Sequence, residues 1–231
     1  MKNFMIPSLL IAMPYLAQAN EDWGIWVSNT YQTDFGGSNY LAFLEIQPRT
    51  KNDNENLQQL IVRPLLGYKV TKELSLWLGY TWQGEYTPSR SDKFGNATND
   101  IMQQVQWVHD INEHWNFQYR GRLEERLFAD SNNVGLRMRH RFRLTYTIPD
   151  TSVFLIGFDE FFHYLTDIND GSPREGQVQS GVNQNRTYAG LGYKFNKHIS
   201  ADTGYQLQYV NNYGKEDLFN HVWLTNINVK F

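Results

Sequence analysis

Cysteine is absent from all 231 residues, which excludes a disulfide scaffold and any thiolate metal site. Long apolar runs are absent too. Beyond residue 19 the longest, Val153 to Phe158, has six residues, against the ~20 that a membrane helix needs. Positive charge is not in excess, with 21 basic against 24 acidic residues, so overall charge points to no nucleic-acid partner. The histidines (His109, His114, His140, His163, His198 and His221) show no metal-ligand spacing, and neither a metal nor a cofactor is expected.

What the sequence has is alternation. In the stretch 118–145, arginine recurs at every second position across two adjacent segments. A strand turns successive side chains to opposite faces, so Arg137, Arg139, Arg141 and Arg143 share one face. Leu136, Met138, His140, Phe142, Leu144 and Tyr146 share the other. Almost every other segment alternates in the same way over ten residues or so. That breadth favours a transmembrane barrel, with the apolar faces toward lipid and the arginines inside. The mean hydropathy of −0.57 does not oppose this, because only every second residue of such a barrel meets lipid. The aromatic content, 14 Tyr and 7 Trp included, suits girdles at the two membrane–water interfaces.

Residues 1–19 read as a secretory signal peptide, with Lys2 as the positive start, an apolar core from Phe4 to Leu16, and Ala17-Gln18-Ala19 as the cleavage site. The mature chain, 20–231, is then expected to form one barrel domain. It would lie in the outer membrane of a Gram-negative bacterium as a monomer with lipid as its surroundings. Segments come in pairs around short turns: 57–69 with 74–86, 101–110 with 115–127, 136–147 with 152–164, and 182–193 with 199–210. Links between pairs are longer and polar, except the short one from Phe128 to Val134. This is the outer-membrane pattern in which the short turns face the periplasm. Segment 154–164 carries aromatics on both faces, which suggests a bulge. In the last segment Trp223, Thr225, Ile227, Val229 and Phe231 share a face, and Phe231 is terminal. This resembles the signal that outer-membrane barrels present to their assembly machinery.

Eleven candidate segments are found. The even-number rule for such barrels favours about ten complete strands, with a range of 10–12: either residues 22–32 are an inner or partial segment, or one segment boundary lies elsewhere. The fold expected is an all-β, antiparallel up-and-down transmembrane barrel.

The run Arg120-Gly121-Arg122-Leu123-Glu124-Glu125-Arg126, then Arg137-Met138-Arg139-His140-Arg141, then Gln184-Asn185-Arg186-Thr187-Tyr188-Ala189-Gly190-Leu191-Gly192-Tyr193, resembles an uncharacterised family of proteobacterial outer-membrane barrels. That resemblance spans nearly the whole mature chain and implies a fold, with no activity to carry over. In design alone, the chain is also similar to small monomeric porins for acidic oligosaccharides.

The candidate luminal anion-binding residues are Arg120, Arg122, Arg126, Arg137, Arg139, Arg141, Arg143 and Arg186. Their candidate acidic partners are Glu45, Glu124 and Asp202, with one of Asp159 and Glu160. Such a lumen is net positive and suits a narrow channel for small anionic solutes. The competing reading is a filled barrel in which arginines and carboxylates simply pair. A third is an outer-membrane lipid-modifying enzyme. Its only His-x-Ser pair, His198-Ile199-Ser200, sits at a short turn with Ser200 on the luminal face, so no catalytic residue is assigned. The rim acids Asp92, Asp167, Asp170 and Asp217, with His163 and His221, show no protease-like spacing.

Overall fold

A computed structural model describes residues 20–51, 53, 56–86, 94–129, 131–168, 178–213 and 216–231. The expected signal peptide, Asp92 and Asp170 lie outside them. Eleven strands form one closed barrel. They are β1 (Asn20–Thr33), β2 (Tyr40–Lys51), β3 (Asn56–Lys69), β4 (Leu74–Tyr86), β5 (Phe94–Asp110) and β6 (Trp115–Phe128), then β7 (Val134–Thr147), β8 (Val153–Tyr164), β9 (Gly181–Lys194), β10 (Ile199–Val210) and β11 (Leu218–Lys230).

Sequential neighbours pair antiparallel, as alternation joined by short turns requires. The ring closes differently. β1 pairs parallel with β11, from Asn20 beside Leu218 to Gln32 beside Lys230. Eleven lies inside the expected range, but residues 22–32 are neither inner nor partial: they make a full wall strand. An odd count needs one parallel seam, and the evenly spaced, slanted bonds of a parallel pair supply it. The seam puts the start of β1 among the longer loops, while Phe231 lies at the short-turn end, its amide donating to the Gln32 carbonyl at 2.9 Å.

Faces follow the alternation. Leu76, Leu78 and Tyr80 point outward and are exposed, while Ser75, Trp77, Thr81 and Gln83 point inward and are buried. On β8 the ambiguity resolves with Glu160 inside and Asp159 outside, held by the Asn185 amide at 2.6 Å. The register shift lies between Phe162 and His163. Strand β5 begins seven residues before the expected start at Ile101. Its early polar residues read as loop in isolation, yet Thr98 and Asp100 point inward against Arg126. Close packing of the interior needs small residues in places. A side chain at Gly192 would collide with the ring of Phe154, and one at Gly67 with Trp77. Those aromatics belong to two luminal apolar clusters, one around Trp26 and Tyr188, the other around Leu65 and Met102.

Candidate functional site

All eight predicted arginines point into the barrel, because each sits on the inward phase of its strand. Two more do so as well, Arg49 on β2 and Arg63 on β3. Sequence reasoning missed them because each is a lone arginine rather than part of a run. The signal was present: two-residue steps from inward Glu45 lead to Gln47 and Arg49.

The arginines fall into two groups. The first is tied to carboxylates. Glu124 receives Arg137 Nε at 2.8 Å and Arg139 Nη1 at 2.7 Å, with Arg122 Nη1 at 3.6 Å. Glu160 receives Arg139 Nη2 at 3.0 Å and an Nη of Arg120, with Arg186 at 3.9 Å. Glu45 accepts from Arg63 and from the Ser28 hydroxyl. Arg126 is 3.4 Å from Asp100 and donates to the Tyr164 hydroxyl at 2.7 Å. Carboxylates at these depths, 1% and 3% exposed for the Glu124 and Glu160 side chains, are tolerable only when paired.

The second group has no carboxylate in ion-pair contact among the described residues. Arg49 donates to the side-chain carbonyls of Gln47 and Gln59 and lies 3.8 Å over the Trp26 ring. Arg141 and Arg143 have no hydrogen-bond acceptor among the described residues, although both line the lumen. Asp202, expected as an arginine partner, is luminal but takes the Tyr188 hydroxyl at 2.8 Å and the Asn226 amide at 2.7 Å.

The space between these side chains forms two cavities. One, about 540 Å³, extends from the short-turn end; the other, about 400 Å³, from the longer-loop end. Both are walled by Trp26, Arg49, Arg63, Arg139 and Arg186, so these residues form a collar where the cavities meet. Arg186 lies over Trp26 at 5.0 Å and over Phe162 at 4.7 Å, so aromatic faces hold guanidinium groups at the narrowing. Ten arginines line the two cavities. The carboxylates Asp22, Glu85, Asp110 and Glu113 stand toward the mouths, leaving Glu45, Asp100, Glu124, Glu160 and Asp202 in the middle. The middle of the lumen is therefore positive although the chain is not.

Among the described residues, those considered for catalysis do not converge. The His198 ring Nδ1 lies 2.7 Å from the Lys230 carbonyl, while Ser200 faces the lumen. His163 stacks on His140 at 5.5 Å on the outer face, and Asp167 accepts from the Ser180 amide at 2.6 Å.

A closed all-β barrel with alternating faces and a charged interior has the fold of an outer-membrane-type barrel. The chain belongs to the DUF2490 family, described as proteins of unknown function, whose model matches residues 23–219. An uncharacterized protein of Methylorubrum extorquens is 24% identical over 217 residues, covering 93% of this chain and 90% of that protein. Among solved structures, the NanC porin aligns with a TM-score of 0.51 at 12% identity, covering 89% of this chain and 99% of its own. The outer-membrane protein OmpT of Vibrio cholerae, as a loop-deletion mutant, aligns at 0.41 and 12% identity, covering 73% and 56%. The first of these similarities supports the barrel fold.

Proposed function

We propose that this protein is an outer-membrane channel for small anionic solutes, with its short turns in the periplasm and its longer loops outside. The observation that carries the reading is the collar, at which two cavities meet among Arg49, Arg63, Arg139 and Arg186. Guanidinium groups left without carboxylates there and below favour anions over cations in a narrow lumen. The protein works as a lipid-embedded monomer, and Phe231 is the signal by which the barrel assembly machinery accepts it.

The experiment is conductance in a planar lipid bilayer with a salt gradient. The purified protein is expected to conduct, with a reversal potential of the sign for anion preference. Arg49→Gln is expected to reduce that preference, because Arg49 faces only amides and an aromatic ring and its loss strands no carboxylate. A folded parent protein that does not conduct sinks the proposal.

One observation favours the second reading, a filled barrel without transport. Glu124 and Glu160 gather Arg120, Arg122, Arg137, Arg139 and Arg186 into one cross-linked layer. That layer occupies one side of the lumen, and the filled reading predicts no current at all.

A further inference from the structure

The arginine ladder changes character below the collar. Arg137 and Arg139 bond carboxylates, whereas Arg141, although directly opposite Glu160 in the β7–β8 register, is left out because Glu160 bonds Arg120 and Arg139. Arg120 and Arg141 are direct partners in the β6–β7 register, and Arg143 follows one inward step further along β7. Arg120 Nε and Arg141 Nε are buried without an acceptor among the described residues. The nearby carboxylates are already engaged. Glu160 takes Arg120 and Arg139, and Asp202 takes Tyr188 and Asn226. All three arginines line the 540 Å³ cavity.

We propose that Arg120, Arg141 and Arg143 form a binding site for a small multivalent oxyanion, such as a phosphate group, within that cavity. The assignment rests on the channel reading for access of solute to the lumen. Three facts of chemistry support it. Guanidinium groups are fixed forks of donors and match the spacing of phosphate oxygens. Adjacent like charges in a partly dry interior repel, and a dianion relieves that repulsion where a neutral acceptor satisfies only the hydrogen bond. Unmatched donors in a buried layer are costly, and three of the four buried side-chain donors without an acceptor among the described residues, those of Arg120, Arg122 and Arg141, lie on the adjacent strands β6 and β7.

The layer above supplies a contrast that makes the proposal specific. Arg137 and Arg139 are held by Glu124, so an anion entering there competes with a protein carboxylate. An anion at Arg141 and Arg143 competes with no carboxylate in ion-pair contact among the described residues, and at Arg120 it can take the free Nε while Glu160 keeps an Nη. The site is therefore expected to load from the short-turn side.

The test uses the full mature protein folded in detergent, titrated with inorganic phosphate at constant ionic strength against chloride. A saturable rise in unfolding temperature and saturable broadening of the phosphate phosphorus resonance are expected. Glycerol phosphate run alongside separates free phosphate from a phosphate borne on a larger solute, and saturation by either supports the site. Arg141→Gln with Arg143→Gln should weaken half-saturation by roughly tenfold or more, the scale of one charge-assisted hydrogen bond. If that variant fails to fold, the resonance broadening of the parent protein still decides. No saturable response in the parent, or an equal response in a folded double variant, overturns the site. A protein that conducts chloride without the phosphate response loses the site and keeps the channel; phosphate binding without conductance does the reverse.

Discussion

Arg139 Nη1 donates to Glu124 Oε1 at 2.7 Å although the register places Arg137, not Arg139, directly opposite Glu124. The bond is a diagonal. It lets one buried carboxylate hold two arginines of β7, while the other edge of Arg139 reaches Glu160. Removing Arg139 therefore leaves two carboxylates short of a partner. Arg139→Gln is expected to destabilise the folded barrel by about 3–5 kcal/mol, the cost of breaking a buried pair. Arg141→Gln should cost a small fraction of that. Urea unfolding in detergent, followed by tryptophan fluorescence, measures both; equal losses would refute the division into paired and free arginines.

The parallel seam makes its own prediction. Thr30 and Asn228 are register partners, with the Thr30 hydroxyl donating to the Asn228 side-chain oxygen at 2.8 Å. In a chain without cysteine, Thr30→Cys with Asn228→Cys should cross-link on mild oxidation, since neighbouring strands stand ~4.8 Å apart and disulfides span that gap. The product is a ring-closed chain of altered gel mobility. A ten-stranded barrel with β1 outside its wall would give no cross-link.

Phe231 is 72% exposed on the outer surface. Burial in lipid accounts for about 1.5–3 kcal/mol at most, too little to decide folding alone. Phe231→Asp is nevertheless expected to remove most of the folded, heat-modifiable barrel from cell membranes if Phe231 is the assembly signal proposed above. Refolding of the purified variant into detergent should be nearly normal. Wild-type amounts in cells would refute the role.

At the short-turn end, Glu73 accepts from the Trp107 indole at 2.9 Å and lies 2.9 Å from His109 Nδ1. The His109 contact first, then the indole, holds the Glu73 carboxyl below its ordinary value of 4.5. A depressed carboxyl stabilises the fold above its unfolded value, and that contribution is lost as pH falls through the lower folded value. Carbon NMR of Glu73 should show a midpoint below that of an unstructured peptide, and His109→Ala should move it up. An unshifted midpoint in the parent protein would refute the contact.

Much of this protein is legible in one dimension. The period of two separates lipid-facing from luminal residues strand by strand, and the short turns locate each hairpin. Sequence reasoning therefore places Arg137 to Arg143 inside, and recognises all but one segment as full strands. It stumbles where a residue's meaning depends on a partner. Residues before Ile101 look like loop until Arg126 is seen beside Thr98 and Asp100. Glu160 and Asp159 are interchangeable on paper, and Arg49 is one arginine among amides.

By itself the sequence determined the all-β alternation and an interior richer in arginine than the chain as a whole. Both are local properties, since a strand's pleat assigns faces without reference to other strands. Only the tertiary structure decided how the ring closes and which arginines are neutralised. Closure joins Asn20–Thr33 to Leu218–Lys230, almost the whole chain apart, in an orientation that no local pattern encodes. Neutralisation depends on reach across strands as well as register: Glu160 stands directly opposite Arg141 but bonds Arg120 and Arg139, which leaves Arg141 without a carboxylate in ion-pair contact among the described residues. Register is a relation between strands, and it exists only once they have paired.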